Sequence, residues 1–504
     1  MTDFTKAPRQ GHHTTRCLPL LLTLLMTAVL AACSSRTEPV VINSEADVVG
    51  KTIAVPTGSI YDIDMSGRQD IKLERYTTMA DMIAALKNGK ADAFMNDDIA
   101  MSASDMRRHG VKIAFRSDRA FDMGYALRFD EAGVVEQFNK FLAEAKESGL
   151  YDEICRRWMD AKDPNTVQMP QLEPASGTEL KVATSFLMAP MCFLEGDEWK
   201  GLEIELLQRF ARYAHMKLDI KYYDMAGASA ALQTGKADLW SSSLFITEER
   251  KKSVLFTDPY YASHEAYYVL DEQATASKGL WQSLKDGVHN NLIVEDRWKF
   301  ITDGLRETLI ISICSLLLGT LLAALICWMR MSRRRWLQSL AAVYIDLMRG
   351  IPLLVLLMIM FYVVLAQTGL SATMVAVVSF SMVFAAYVSE MFRTAIMSVG
   401  QGQQEAGVAL GFTPLQTFRY IILPQAARAV LPVYKGEAVS LFKNTSIVGY
   451  IAIQDLTKAS DLIRSRTFDA FFPLIIITII YFLLAWLLGK VLDWAVKGKV
   501  KSEK

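Results

Sequence analysis

The hydrophobic and polar positions divide the chain into three parts. The apolar run "CLPLLLTLLMTAVL" lies near the N-terminus, and long apolar stretches return after about Leu305. Between them, residues 36–300 mix hydrophobic and polar positions as water-soluble domains do. The pattern predicts a soluble part followed by a membrane part.

Three uncharged stretches predict membrane-spanning helices. Residues 309–329 are long enough for one span at about 1.5 Å per residue, residues 350–389 for two spans joined by an outer turn near "AQTGLSAT", and residues 471–489 for a last one. The basic cluster "RMSRRRW" follows the first span and a basic tail follows the last, so both are predicted to run from outside to inside. The soluble part is therefore predicted to be exported.

This orientation requires one more, outward crossing before the last span. We predict it at about residues 428–453, although that stretch contains Lys435, Glu437 and Lys443. Charged residues in a span face protein or a wet path rather than lipid, so these three either line a conduit or snorkel and pair at a helix interface. The sequence leaves both alternatives open. The expected total is five spans.

The soluble part alternates strand-like and helix-like segments, which is typical of α/β lobes. One series occupies residues 44–165 and a second residues 178–270, with the proline-rich linker "KDPNTVQMPQLEPASG" between them. Each series contains a similar helix–strand unit, "AALKNGKADAF" from Ala84 and "AALQTGKADLW" from Ala230. The repeat raises the question of whether one domain is duplicated or two parts of one domain share a design.

The composition and the motifs of the sequence argue against several classes of function. The 54 Lys and Arg balance 54 Asp and Glu, which gives no reason to expect a nucleic-acid partner. No Cys/His spacing indicates a metal site, and no G-x-x-x-x-G-K-[ST] sequence could hold ATP phosphates, so no cofactor is predicted. No nucleophile–base constellation indicates an enzyme.

Residues 1–33 are predicted to be a lipoprotein-type signal segment. Basic residues precede the apolar run, and small residues precede Cys33. The order predicts cleavage before Cys33 and a lipid on its sulfur. The alternative is an uncleaved anchor with an incidental cysteine.

The membrane part resembles the permeases of binding-protein-dependent ABC importers, in their polar amino-acid branch. "EAGVALG" followed by "YIILP" is similar to the EAA loop of that family, and "LMRGIPLLVLL" and "LFKNTSIVGYIAIQDLT" are similar to its flanking segments. The resemblance implies that Glu405, Ala406 and Gly411 dock on a separate cytosolic ATPase subunit, and that a second permease copy completes the path. The family often has Ala where Gly407 stands.

The soluble part resembles the extracytoplasmic amino-acid-binding proteins that serve such permeases, with its segments in a different order. Residues 44–165 match the later part of that family and residues 178–270 the earlier part. We expect one circularly permuted clamshell in which each "AAL..GKAD" unit belongs to a different lobe. The alternative is two truncated domains, each with an incomplete core.

The same resemblance assigns ligand-binding residues. Arg250 would bind the α-carboxylate together with Ser59, and Asp97 would bind the α-ammonium together with the carbonyl of Ser243. Phe245, Ser185 and Met188 stand where the family often has a hydroxyl residue, an acid and an aromatic ring, and Met225 is expected nearby. This set argues against lysine or histidine as ligand and mildly for a neutral or apolar side chain.

Together these observations predict an α/β two-lobed (clamshell) solute-binding domain followed by an all-α membrane domain of five transmembrane helices. The expected parts are a signal segment (1–33), mainly the second lobe with the closing helices (40–165), a linker (166–177), the first lobe (178–275), a periplasmic linker helix (276–300) and the permease domain (301–495).

The expected function is that of a combined receptor and permease for amino acids in the bacterial inner membrane, with the binding domain in the periplasm and the C-terminus in the cytoplasm. A ligand-gated channel or an amino-acid sensor built on the same lobes is the alternative. The sequence does not identify the amino acid, or distinguish a homodimer from a heterodimer.

Overall fold

The structure is a computed structural model that describes residues 41–172, 177–185, 187–195, 198–223, 225–271 and 280–501. The chain divides into two compact units. Within the described residues, the first unit takes in the chain up to Asp98, Met106–Asp118 and the stretch beginning at Glu265. The second takes in Ile99–Asp105, Arg119–His264 and the chain from Leu280 onward.

Twelve strands form in the described residues of the soluble part. They are β1 (Thr52–Pro56), β2 (Lys72–Tyr76), β3 (Ala93–Asp97), β4 (Val111–Met123), β5 (Ala126–Leu127), β6 (Thr178–Thr184), β7 (Phe193–Glu195), β8 (Glu198–Lys200), β9 (Met216–Tyr222), β10 (Leu239–Ser241), β11 (Leu255–Phe256) and β12 (Tyr261–Leu270).

The α-helices of the soluble part lie between these strands. They are α1 (Ile60–Ser66), α2 (Met79–Lys87), α3 (Ala103–His109), α4 (Ala132–Glu147), α5 (Leu150–Met159), α6 (Leu202–Tyr213) and α7 (Met225–Gln233).

The α-helices after the soluble part belong to the linker and the membrane part. They are α8 (Leu280–Val288), α9 (Trp298–Arg330), α10 (Arg335–Gly350), α11 (Leu353–Ile359), α12 (Ala372–Met397), α13 (Gln401–Ala409), α14 (Pro414–Thr417), α15 (Leu423–Asn444), α16 (Leu456–Thr467) and α17 (Phe472–Lys501).

The first sheet has the order β2-β1-β3-β12-β4. β1 pairs in parallel with β2 and β3, whereas β12 runs antiparallel to β3, with Glu265 opposite Asp97. The central strands are buried, and the ring of Phe94 stacks on that of Tyr268 at 4.7 Å. The strand–helix alternation predicted for residues 44–165 thus gives parallel pairing among β2, β1 and β3, and β12 from the second series lies between β3 and β4.

The second sheet has the order β11-β5-β10-β6-β9. β6 pairs in parallel with β9 and β10, and the short strand β5 runs antiparallel to β10 and β11. β5 comes from the first sequence series and the other four strands from the second. Each sheet therefore combines strands from both series.

The membrane part contains three helices that are long and apolar enough to cross a membrane: Trp298–Arg330, Ala372–Met397 and Phe472–Trp494. The pair Arg335–Gly350 and Leu353–Val364 is bent by 106° and adds a fourth if it is one span. By length and composition, the described residues do not confirm the predicted total of five.

Two predicted spans differ from the helices observed. Within residues 350–389, the turn lies where predicted, but the helix before it has only seven α-helical and five π-helical residues, which is short for a hydrocarbon core of about 30 Å. The outward span predicted at residues 428–453 corresponds to α15, which ends at Asn444 and continues as a 3-10 helix to Ile451. In α15 the Lys435 ammonium lies 2.7 Å from both carboxylate oxygens of Asp493 in α17, so this lysine pairs at a helix interface.

The predicted periplasmic linker helix is not one continuous helix in its described residues. After α8, a π-turn and a 3-10 turn follow, and Glu295 and Asp296 have φ of 57° and 52°. Left-handed backbone at two non-glycine residues interrupts a helix. The next helix, α9, begins at Trp298.

Candidate functional site

Arg250 lies in the second unit, in a short 3-10 turn after β10. Its guanidinium is partly buried and donates to the carbonyl oxygen of Phe245 at 3.1 Å. Burial lowers the pKa of Arg250, which Glu249 only partly offsets. Among the described residues, no carboxylate forms a salt bridge with this guanidinium. It therefore keeps donors for an anion, as expected of a residue that binds a carboxylate.

Ser243 is held by a buried acid that the sequence analysis did not identify. Ser243 has φ of 49°, and both its N–H and its hydroxyl donate to Glu203 Oε1 at 2.7 Å. Ser241 and Tyr260 also donate to the Glu203 carboxylate, at 2.5 and 2.6 Å. Glu203 thus fixes the loop after β10. Since it occupies the N–H and hydroxyl of Ser243, the carbonyl is the group of Ser243 that suits an ammonium.

Ser185 and Met225, both predicted ligand contacts, lie together. The Ser185 hydroxyl is 3.0 Å from the sulfur of Met225, and the indole N–H of Trp240 donates to the hydroxyls of Ser185 and Ser242 at 3.0 and 3.1 Å. Trp240, another residue that the sequence analysis missed, is 9% exposed. These side chains form a small group of apolar and hydroxyl surfaces at the ends of β6 and β10.

Phe245 and Met188 are the remaining predicted contacts in this unit, and both are buried. Phe245 stacks on Phe121 with ring centroids 4.7 Å apart, and Met188 forms an isolated bridge with Cys192. Phe245 is joined to Arg250 by the hydrogen bond that its backbone carbonyl accepts.

Asp97 ends β3 in the first unit, and its carboxylate is buried. The Tyr61 hydroxyl donates to Asp97 Oδ1, and the Tyr268 hydroxyl donates to its backbone carbonyl at 2.6 Å. Burial raises the pKa of Asp97 to about 7, although the bond from Tyr61 opposes the shift. The neighbouring Asp98 instead pairs with Arg116 at 3.2 Å. The two adjacent acids therefore differ in their surroundings: Asp97 is buried and its pKa is raised, whereas Asp98 forms an ion pair with Arg116.

Ser59 begins α1 in the same unit. Its hydroxyl caps the helix by accepting the Asp62 N–H at 3.2 Å, and Gly58 before it has φ of 72°. A side chain at the start of a helix, next to unpaired N–H groups, is a common setting for binding an anion.

The loop between α12 and α15 has a helix–turn–helix form. Glu405 and Ala406 lie in α13, and Gly411 adopts φ of 80° in the turn. Thr413 caps α14, which begins with Pro414, and Gln416 completes a capping box. Pro424 does not end the second helix, because a π-turn at Phe418–Ile422 leads into α15.

Gly407 packs tightly where α13 meets α14. A Cβ at this position would lie 2.6 and 2.7 Å from the side-chain atoms of Thr417 and 3.1 Å from Ile421. The alanine that the family often has would not fit this pair of helices. Beside them, the loop exposes a set of large apolar side chains, which the sequence analysis did not single out: Val408, Leu410, Leu415 and Tyr420.

The predicted lipidation site, Cys33, lies outside the described residues. Cys155 and Cys192 are both free thiols, and the described residues contain no group of His, Cys, Asp and Glu that could hold a metal ion.

Comparisons with known proteins show which family the membrane part is similar to. Residues 315–498 match the family described as "Binding-protein-dependent transport system inner membrane component". The L-cystine transport system permease protein TcyB of Bacillus subtilis is 35% identical over 203 residues, which cover 40% of this chain and 87% of that protein. GlnP of Rickettsia bellii, named as a glutamine transport system permease, is 32% identical over 192 residues, which cover 38% of this chain and 88% of that protein.

Two solved structures also resemble parts of the chain. One is titled as an amino acid ABC transporter with histidines, is 32% identical and has a TM-score of 0.38, covering 44% of this chain and 98% of that one. The other is an arginine-bound ArgBP mutant from T. maritima, at 12% identity and a TM-score of 0.24, covering 44% of this chain and 88% of that one. Since both TM-scores are below 0.5, the assignment rests on the sequence matches.

The sequence relatives are permeases, which confirms the prediction of a transport component rather than an enzyme. Their similarity extends over most of each relative's length, and the family match at residues 315–498 includes the apolar helices Ala372–Met397 and Phe472–Trp494. The chain therefore belongs to the family of inner-membrane components of binding-protein-dependent transport systems.

Proposed function

We propose that this chain is both the substrate receptor and a permease subunit of an ABC importer for amino acids. The observation that carries the proposal is Arg250, a partly buried guanidinium without a carboxylate partner among the described residues, in a chain that also contains the permease domain. A permease alone has no need for such an anion-binding residue in an α/β lobe.

The proposed ligand is an α-amino acid. Arg250 and Ser59 bind its carboxylate, and Asp97 and the Ser243 carbonyl bind its ammonium. Met188, Met225, Ser185 and Phe245 surround its side chain. The apolar surfaces of Met225, Trp240 and Phe245 support a neutral or apolar side chain, because they offer it no charge.

The proposed binding domain is one circularly permuted clamshell rather than two truncated domains. Each sheet contains strands from both sequence series, and each compact unit draws residues from both. Two independent truncated domains would each have to complete a sheet from their own series. The mixed sheets support one domain that contains each part once.

The energy source is proposed to be a separate cytosolic ATPase, which binds at Glu405, Ala406 and Gly411. The helix–turn–helix form and the exposed apolar side chains around it support this role, since a protein-binding surface commonly combines a rigid scaffold with such side chains. We further propose a second permease copy as partner, five membrane crossings with α15 as the fourth, a periplasmic binding domain and a lipid on Cys33.

Calorimetric titration of the full-length chain in lipid nanodiscs with each of the twenty amino acids tests the proposal. We expect saturable binding of one or a few of them, weakened about 100-fold or more by Arg250→Ala, since the variant loses a charge-assisted contact in a buried site. Lys251→Ala is the matched control, because Lys251 is an exposed cation in the same turn that pairs with Glu248. A folded chain that binds none of the twenty would refute the amino-acid ligand, and binding unaffected by Arg250→Ala would refute the site.

A further inference from the structure

Helix α16 shares a hydrophobic core with the lobe that contains β6 to β9, within the second unit. The apolar face of α16 is formed by Ala459, Leu462 and Ile463, each 1% exposed. The shared cluster consists of Leu187, Cys192, Leu194 and Ile204 from the lobe and Phe300, Ala459, Leu462 and Ile463 from α9 and α16. The lobe and the membrane part thus bury apolar side chains against each other.

One cation lies at each end of this apolar face, one or two helical turns from its centre. They are Lys458 and Arg466. The Lys458 ammonium lies 4.4 Å from the ring centroid of Tyr222, the last residue of β9, and Lys458 is only 7% exposed. This is the geometry of a cation–π contact, which is stronger when it is shielded from water.

Arg466, at the other end of the face, contacts three separate segments of the chain. Its guanidinium donates to Asn165 Oδ1 at 2.8 Å and to Glu295 Oε2 at 3.0 Å, and lies 4.7 Å from the ring centroid of Phe193. Burial alone would raise the pKa of Glu295, but Arg466 and Arg297 lower it. The lobe, the segment before α9 and α16 therefore meet at one arginine.

A second contact lies beside α7 of the same lobe. The Lys236 ammonium is 2.9 Å from the carbonyl oxygen of Ala366, which follows the π-turn after α11, and 4.9 Å from the ring centroid of Phe361. The lobe is thus attached to the membrane part at two separate places, and rotation about either one alone is restricted.

We propose that this lobe stays docked on the membrane domain throughout the transport cycle, with α16 as the docking helix and Arg466 as its main positioning residue. A receptor that leaves its permease would expose the shared apolar cluster to water each time and lose the Arg466–Asn165 bond. The proposal deepens the proposed function, because it specifies how the receptor part of the chain delivers its ligand. It predicts that α16 residues affect transport without contacting the amino acid.

Hydrogen–deuterium exchange on the full-length chain in nanodiscs tests the docking without any ligand. We expect Arg466→Ala and Asn165→Ala to accelerate exchange at least tenfold at Pro164–Thr166 and β7, while β1–β3 of the first unit stay unchanged. Lys299→Ala is the matched control, since this exposed cation forms an ion pair with Asp296, three residues away. Wild-type exchange in both variants would show that this contact does not hold the lobe.

The same measurement on the chain assembled with its ATPase tests whether docking persists. We expect the protection of β7 and Asn165 to remain the same without nucleotide and with ATP and vanadate. Loss of that protection with ATP and vanadate would show that the lobe leaves α16 during the cycle and would overturn the proposal. The exchange measurement on Arg466→Ala and Asn165→Ala needs no amino acid, so its result does not depend on the outcome of the calorimetry.

Discussion

Asp97 illustrates how position alters the chemistry of one side chain. Asp97 and Asp98 are adjacent in sequence, yet Asp97 faces a buried tyrosine while Asp98 pairs with Arg116 near the surface. Removal from water favours the neutral form of a carboxyl group, which is why the pKa of Asp97 rises to about 7. An ammonium ligand would favour the charged form.

This environment predicts that amino-acid binding depends on pH. Between pH 8 and pH 6 the free protein changes from mostly ionised to mostly protonated Asp97, so the apparent affinity should fall about tenfold. Calorimetry at both pH values measures this change, and Asp97→Asn should bind weakly with no such dependence. Equal affinity of the wild-type chain at pH 8 and pH 6 would contradict the role of Asp97.

The identity of the site residues could be predicted only where a motif was present. Arg250 and Asp97 came from their resemblance to a family pattern; in the structure Asp97 is buried and Arg250 is partly buried. Glu203 was missed because its partners, Ser241, Ser243 and Tyr260, lie far along the chain. Its one signal was an acid between apolar residues in "GLEIELL", where the pattern of an amphipathic helix predicts a hydrophobic residue.

At the scale of elements, the loop between α12 and α15 depends on the close approach of two helices at Gly407. Thr417, which faces it, is 4% exposed, and its hydroxyl has no hydrogen-bond partner among the described residues. A larger side chain at position 407 must therefore shift Thr417, either by rotating its side chain or by displacing the second helix, and overpacking of this kind costs about 1–3 kcal/mol.

We predict that Gly407→Ala reduces the amount of ATPase that co-purifies with the tagged chain, because displacement of α14 changes the docking surface. Thr417→Ala in the same chain removes the clashing atoms without breaking a hydrogen bond within the described residues, and should restore the amount. Gly402→Ala is the control, since no atom lies within 4 Å of a Cβ there. If Gly407→Ala retains the ATPase as the wild type does, the packing does not shape the surface.

Most regular elements could be predicted from periodicity and capping residues. Thr78 and Thr413, for example, cap α2 and α14 as their positions before helical patterns indicate. The strand β4 is harder to predict because "RSDR" interrupts its alternation, and β7 and β8 have only three residues each. The helix before Ala372 is shorter than its apolar sequence suggests, because hydropathy does not show where a helix bends.

At the scale of the whole chain, the near-repeat at Ala84 and Ala230 was less informative than the order of segments. Each copy supplies one helix and one strand, and these belong to different sheets: β3 to the first and β10 to the second. Local patterns could not show that β5 of the first series pairs with β10 of the second, or that β12 of the second series pairs with β3 of the first. Strands that pair over more than 100 residues leave no periodic signal in the sequence.

The central claim is that one chain both captures and transports the amino acid. The most direct measurement is uptake of the radiolabelled amino acid identified by calorimetry into proteoliposomes that contain this chain and its ATPase, without any soluble binding protein. The account predicts ATP-dependent uptake that Arg250→Ala abolishes and Lys251→Ala leaves intact. Uptake that begins only when a separate binding protein is added would contradict it.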